Sequence, residues 1–412
     1  MPLLAGGGVL RHRDYRILFA GQAVSVVGDA LFPIALAFAV IEGLDGTPTQ
    51  LGVVLAAQVV PMTFLVLAAG VWADRVSRRR LMLVSDVGRG AVQAAVAALL
   101  LSGRAELWHL VALVALYGCF EAFFRPAAGG LVPALVPPGE LQQANALIGL
   151  AQNAGTVIGP AIAAALIVAL SPGAAVAVDA ASFAVSAAFL VLLREPARPP
   201  APDGAHARDF WRELRGGLAE VRSRRWMLAF MPPFSAYHWI ALPCVLALGP
   251  VLAARELDGA ASWAAITTAF GLGTIAGSTV ALRWKPPRPM LAATLAFILC
   301  AAQPAIIALA GSTAAIAAAE AVAGVAVAVG FAQWETTIGR FVPGTALSRV
   351  TSLDWFVTVG LMPVGYALCG PVADAVGLHA TMVAASVLVA AMFAVALAVP
   401  DVRGVRQESV AS

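Results

Sequence analysis

Asp29, Asp86, Arg89, Glu121, Arg125, Asp179, His238 and Glu320 all fall inside long apolar runs. Ionisable groups are expensive there and tend to face a cavity or a partner, so chemistry is to be sought among them first. Gln22 and Ser25 precede Asp29 by seven and four positions, which puts all three on one helix face. They form a candidate proton or substrate site near the middle of the first run. His238-Trp239 occupies the corresponding depth of a later run, and Asp29 and His238 are expected to face one another as proton-responsive groups. The plain alternative for either is a polar side chain satisfied by a neighbouring helix.

Glu121 and Arg125 have the i,i+4 spacing of an intrahelical ion pair, and Asp86 and Arg89 the i,i+3 spacing of another. For these four a structural or gating role is expected ahead of substrate contact. Asp179 and Glu320 lie about two turns from the outer ends of their runs, as rim groups or proton sites. Trp334-Glu335 and Asp354 fall near the inner boundary, where aromatic anchoring is the ordinary explanation.

Enzyme chemistry finds no constellation. There is no His-Glu-x-x-His, no Gly-x-Ser-x-Gly and no paired Cys/His spacing. The one lysine, Lys285, precedes Pro286, so a phosphate-binding Gly-Lys-Ser/Thr loop is missing and the chain is not its own ATP-driven pump. Gly271-x-Gly273-x-x-x-Gly277 sits in an apolar helix with no preceding strand and reads as a small-residue packing face. Cys119, Cys244, Cys300 and Cys369 are far apart in apolar stretches and read as buried thiols. No metal and no cofactor is expected.

The elements that position these residues follow from composition. The chain is 60% hydrophobic and 12% charged, with mean hydropathy +0.87, against roughly 25% charged residues in soluble proteins. That is a multi-span membrane protein. Spans of about 20 apolar residues fit at Tyr15–Ile41, Gln50–Ala73, Leu81–Leu101, Leu107–Phe124, Ala144–Ala169 and Ala174–Leu193. Six more fit at Trp226–Ala253, Ser262–Trp284, Met290–Ala310, Thr313–Ile338, Ser348–Ala375 and Thr381–Val399. Between them lies a Pro- and Arg-rich linker, Arg194–Arg225, with a short amphipathic helix expected from Phe210 to Val221. The expected domains are therefore 1–193, a cytoplasmic linker at 194–225, and 226–412.

Arginines set the orientation. They crowd the segment before the first span, the loop after the second and the central linker, while only Arg104 and Arg255 belong to loops on the other face. The asymmetry places both termini and the linker in the cytoplasm. The first span continues without a cleavage site and is expected to be retained. The net charge of +3 gives no reason to expect nucleic acid as a partner. The two sets of six spans also repeat. Val136-Pro137 with Leu141, Pro33 and Met82 match Val342-Pro343 with Leu347, Pro243 and Met290 at a near-constant offset of about 206–210 residues.

The tightest charge pattern is Gly70-Val-Trp-Ala-Asp74-Arg75-Val-Ser77-Arg78-Arg79-Arg80. It resembles the loop between the second and third helices of the major facilitator superfamily, Gly-x-x-x-Asp-Arg-x-Gly-Arg-Arg/Lys-Arg/Lys, with Ser77 in place of the second Gly. Gly155-Thr-Val-Ile-Gly159-Pro160, followed by Ala163-Ala164, is similar to the superfamily's exporter signature, Gly-x-x-x-Gly-Pro-x-x-Gly-Gly. Phe124-Arg125-Pro126-Ala127, Asp179-Ala180-Ala181-Ser182-Phe183 and Ser348-Arg349-Val350 resemble the drug-efflux branch that includes macrolide and siderophore exporters.

The resemblance implies an all-α fold of 12 transmembrane helices in two pseudo-symmetric six-helix bundles. It implies alternating access and proton-coupled efflux of a small, largely apolar or cationic molecule. Gly70, Asp74, Arg75, Arg78, Arg79 and Arg80, with Asp86 and Arg89 beyond them, would then form the conformational latch. Gly155, Gly159 and Pro160 would mark the antiporter-type helix. The expected partners are a small-molecule substrate, protons and the lipid bilayer of the cell membrane, with the protein a monomer. A proton-coupled importer of the same fold is the nearest alternative. From another class, a membrane sensor would need a signalling domain for which the tails and linker leave no room.

Overall fold

The computed structural model describes residues 8–195 and 216–406. The side chains at 66–75, 344, 345, 348 and 352 are outside that description. Among the described residues, twelve helices are long and apolar enough to cross a membrane. The first six are α1 (Arg13–Phe38, continued by a π turn Ala39–Gly43), α2 (Pro48–Arg75), α3 (Arg78–Leu101), α4 (Leu107–Leu135), α5 (Leu141–Ala169) and α6 (Pro172–Leu192). The second six are α7 (Arg225–Glu256), α8 (Gly259–Arg283), α9 (Pro289–Leu309), α10 (Thr313–Phe341), α11 (Arg349–Val376) and α12 (Leu378–Ala398). The chain divides into two compact units, Met1–Gly204 and Ala205–Ser412, with six spans in each. In the linker region the helix observed covers 216–222; the first part of the helix expected from Phe210 falls outside the described residues.

The same pairs of helices pack in both units. In the first, α1 packs on α5 and α6, α3 on α4 and α6, and α2 on α4. In the second, α7 packs on α11 and α12, α9 on α10 and α12, and α8 on α10. Each contact recurs six helices later, which is what duplication of a six-helix unit produces.

Glycine makes the closest of these crossings. A Cβ at Gly273 would run into the backbone carbonyl of Ala321, one at Gly324 into that of Phe270, and one at Gly277 would stand 2.5 Å from Val325 O. The Gly271–Gly277 stretch is therefore the α8–α10 packing face. On α1, a Cβ at Gly28 would overlap the side chains of Ser182 and Asp179, so Gly28 lets α6 lie directly behind the helix that carries Asp29.

Among the described residues, α7, α9 and α11 depart from uniform helix in their interiors, and α4 outruns its expected end. α4 runs eleven residues past the expected end at Phe124, through Pro126 and Pro133; a proline removes one backbone donor but need not end a helix whose neighbours pack against it. α9 is interrupted at Ala302, before Pro304, and α11 at Gly360–Leu361, before Pro363. The indole Nε1 of Trp239 donates to the Thr358 carbonyl, just before the second break, at 3.1 Å. α7 contains two π turns, Tyr237–Ala241 and Cys244–Leu248, on either side of Pro243.

The second unit is built on aromatic rings. Phe230 stacks on Trp334 at 4.6 Å between centroids, and Phe297 on Phe393 at 5.7 Å. Trp334 is 1% exposed and its indole donates to Asp354 Oδ2 at 3.1 Å. The expectation of an interfacial anchor at Trp334 is corrected: it is a core residue, and its partner acid turns inward with it. Cys244, Cys300 and Cys369 are buried free thiols, while Cys119 is half-buried.

Candidate functional site

The buried charges of the first unit converge on Arg89. Its Nη2 donates to Asp86 Oδ1 at 2.6 Å, one turn back on α3, with both side chains buried. Its Nη1 reaches Asp29 Oδ1 on α1 at 3.5 Å. The guanidinium lies 4.3 Å from the ring centre of Phe183 and 4.5 Å from that of Phe124, so aromatic faces from α6 and α4 replace water on its flanks. Asp86 Oδ2 accepts from Ser186 at 2.6 Å, which completes its coordination. Both oxygens of Asp86 are held, and Arg89 is locked to it.

Asp29 differs. Its carboxylate accepts from Tyr117 at 3.2 Å and has only the long contact to Arg89. Its side chain is 37% exposed, where that of Asp86 is 0% exposed. What it is exposed to is a cavity of about 570 Å³ within the first unit, a volume typical of small-molecule sites. Gln22, Ser25, Asp29, Arg89, Glu121 and Arg125 contribute its polar wall. Phe19, Phe124, Val26 and Ile148 contribute apolar surface.

Four of the candidate proton or substrate residues, Gln22, Asp29, Glu121 and Arg125, thus meet in one cavity. The Glu121–Arg125 pair suggested by their spacing is a correction: Glu121 Oε2 accepts from Gln58 of α2 at 3.1 Å. No ion pair within 4.0 Å joins Glu121 to Arg125. Gln58 is closer to the acid because α2 crosses α4 at Gly118, where a Cβ would run into the Gln58 carbonyl.

Asp179 is not at a rim. It is fully buried, with Oδ2 accepting from Gln93 at 2.9 Å and Oδ1 near Ser182 Oγ at 3.4 Å. His238 and Glu320 belong to the second unit. His238 is buried, with Nδ1 2.8 Å from the Phe234 carbonyl and its ring packed against Phe234, Tyr237 and Phe331. Glu320 is 3% exposed and accepts from Gln303 at 2.7 Å. A separate pocket of about 510 Å³ in that unit lies among α7, α11 and α12 and is lined by Trp239, Cys244, Leu368 and Leu388, with no charged side chain.

The glycine face of α5 meets α1 beside Asp29. A Cβ at Gly155 would stand 2.6 Å from Val26 Cγ1, and one at Gly159 would overlap the Ala30 methyl. Val26 and Ala30 flank Asp29 and line the same cavity, and Pro160 is buried one residue further along α5.

Among the latch candidates, the side chains of Gly70, Asp74 and Arg75 lie outside the described residues. Ser77 caps α3 by accepting from the Arg80 amide. Arg78 donates to the Gly130 carbonyl. Arg79 donates to the carbonyls of Leu190 and Val191 at the end of α6, each at 2.6 Å. Glu195 accepts from the amides of Arg78 and Arg79 at 3.0 and 3.3 Å, a carboxylate at the positive end of a helix. Arg80 is exposed.

The residues that sequence reading passed over are the neutral ones that complete this network: Tyr117, Gln58 and Gln93, with Gln303 in the second unit. Gln93 and Gln303 each stand alone in an apolar span and Gln58 alone in the interior of its own, and that isolation was the available signal.

Curated relatives and solved structures resemble the chain. A transporter of the facilitator type from Bacillus subtilis, YfiS, is 30% identical over 43% of this chain and 41% of its own length. Macrolide efflux protein A of Streptococcus pyogenes is 24% identical over 63% of this chain and 64% of its own. The match thus spans less than two thirds of either relative. Multidrug efflux pump Tap of Mycobacterium tuberculosis is 24% identical over 95% of this chain and 94% of its own length. The nucleoside transporter NupG superposes with a TM-score of 0.73 at 14% identity, covering 93% of this chain and 99% of that one, which speaks for the fold. Residues 18–363 match the Major Facilitator Superfamily. With twelve helices among the described residues long and apolar enough to cross a membrane, the duplicated packing and that match, the chain belongs to the Major Facilitator Superfamily.

Proposed function

We propose that this chain exports small, largely apolar or cationic molecules in exchange for protons, by alternating access. The observation that carries the reading is the contrast between Asp29 and Asp86 on one guanidinium. Asp86 is bound at 2.6 Å and sealed from the cavity; Asp29 is held at 3.5 Å and opens into it. Asp29 is therefore the carboxylate that can change partner. A proton on Asp29 weakens its tie to Arg89, while Asp86 keeps Arg89 from being left as an unpaired buried charge. A cationic substrate in the cavity competes with that proton for the same carboxylate, which is the exchange antiport requires.

The aromatic and aliphatic wall suits the apolar body of such a molecule, and Gln22 and Glu121 supply polar contacts. The small face of Gly155 and Gly159 against α1, with Pro160 behind it, lets α5 shift beside Asp29. The names of the macrolide and multidrug efflux relatives support this direction of transport. In the same reading, residues 1–193 and 226–412 rock as two bundles joined by the 194–225 linker, with both termini in the cytoplasm of a cell-membrane monomer. Gly70, Asp74, Arg75 and the neighbouring arginines latch the cytoplasmic side.

The test uses purified protein in liposomes with an acidic lumen and a fluorescent lipophilic cation outside. Dye should accumulate as the lumen loses protons, and Asp29→Asn should abolish both movements. Proton-linked accumulation by the Asp29→Asn protein would remove Asp29 from the mechanism.

A further inference from the structure

The second unit holds a buried acid that the cavity chemistry does not use. Glu320 on α10 is 3% exposed. Its Oε2 accepts from Gln303 Nε2 at 2.7 Å, and Gln303 Oε1 accepts from the Tyr237 hydroxyl at 2.8 Å. The chain Tyr237–Gln303–Glu320 joins α7, α9 and α10, all within one unit. Glu320 Oε1 is buried and has no hydrogen-bond partner. The titratable groups facing this acid are Tyr237 from α7 and Cys300 from α9, neither of them a cation. Among the described residues, no Arg, Lys or His comes within ion-pair distance of it.

The first unit shows the same device in another setting. Gln93 on α3 donates to Asp179 at 2.9 Å, and Gln93 and Gln303 stand 210 positions apart, the offset at which the two halves repeat. Each half thus uses the equivalent glutamine to hold one buried acid. In the first half that acid belongs to a cluster containing Arg89. In the second no positive charge accompanies it.

An ionised carboxylate in an apolar interior needs a counter-charge or several donors, and one amide N–H does not suffice. A metal ion would need several ligands, and among the described residues no group of three or more His, Cys, Asp or Glu side chains gathers around Glu320. The ligand that fits is a proton.

We propose that Glu320 is a second proton-binding site, held by Gln303 and Tyr237 and separate from the substrate cavity. The proton adds to Oε1, the oxygen without a donor, while Oε2 keeps accepting from Gln303. The site's role in coupling rests on the proton-driven reading above; its existence does not.

Infrared difference spectroscopy between acidic and alkaline buffer, on the full-length protein in lipid nanodiscs, reads the site without any transport. Wild type should show the carbonyl band of a protonated, buried carboxyl group. Glu320→Gln should lose one component of that absorption, and Asp29→Asn should keep the same component. Gln303→Leu should keep the band but move it to higher frequency, because the carbonyl at Oε2 loses its N–H donor. A Glu320→Gln spectrum superimposable on wild type would overturn the proposal. So would a band unmoved by Gln303→Leu, and that variant serves if Glu320→Gln fails to fold. Either result would leave the export reading at Asp29 standing.

Discussion

Arg89 holds Asp86 at 2.6 Å in a site from which both side chains are excluded from solvent. The pair is i,i+3 on one helix, yet it is fixed from outside that helix, by Ser186 on one oxygen of the acid and by the rings of Phe124 and Phe183 on the guanidinium. A buried pair held this way is intolerant of losing one member, because without Asp86 the guanidinium keeps only the long 3.5 Å contact to Asp29.

Asp86→Ala should therefore destabilise the protein by about 3–5 kcal/mol, the usual range for removing one partner of a buried pair. Thermal unfolding of the purified protein in detergent checks this. A melting temperature equal to that of wild type would show that Arg89 is neutralised in some other way.

Asp29→Asn should behave in the opposite manner. Its carboxylate is partly exposed to the cavity and bound at 3.5 Å, so the folded protein should persist with a small change in melting temperature. Export coupled to the pH gradient should fall to background. A variant that unfolds along with Asp86→Ala would merge the two roles separated here.

The spans and the membrane class were legible in the sequence because hydropathy reports directly on helix burial, and the duplication because matching residues recur at a near-constant offset of about 206–210. The acids of the site were legible for a related reason, since a carboxylate in an apolar run is rarely accidental. Which acid pairs with which group was not. Glu121 and Arg125 have ideal pair spacing, but the tight α2–α4 crossing at Gly118 brings Gln58 to Glu121 instead. Trp334 looked like a boundary anchor by position, but the aromatic core of the second unit claims it. Both outcomes are set by contacts between helices, which local spacing does not encode.

Gly159→Ala should impair transport through a contact on α1. The added methyl would occupy the space of the Ala30 methyl, forcing α5 away from the cavity wall. Ala30→Gly in the same protein removes the obstructing group and should restore most of the lost rate, measured as dye efflux from cells at equal expression. No rescue by Ala30→Gly would mean that the glycine acts elsewhere than at this crossing.

The arginines after α2 should not be equivalent. Arg79→Ala removes two hydrogen bonds to the end of α6 and should lower stability by about 1–2 kcal/mol. Arg80→Ala, at an exposed position, should change it by less than about 0.5 kcal/mol. Equal melting temperatures for the two variants would remove the anchoring role assigned to Arg79.

The most direct test of proton-driven export is the accumulation of labelled lipophilic cations, siderophores and antibiotics in cells with and without this protein. Each is measured before and after a protonophore collapses the proton gradient. For at least one compound, cells carrying the protein should accumulate less than cells lacking it, and the difference should vanish on collapse. Higher accumulation in the cells that carry the protein would reverse the direction of transport. Export that persists after collapse would contradict proton coupling.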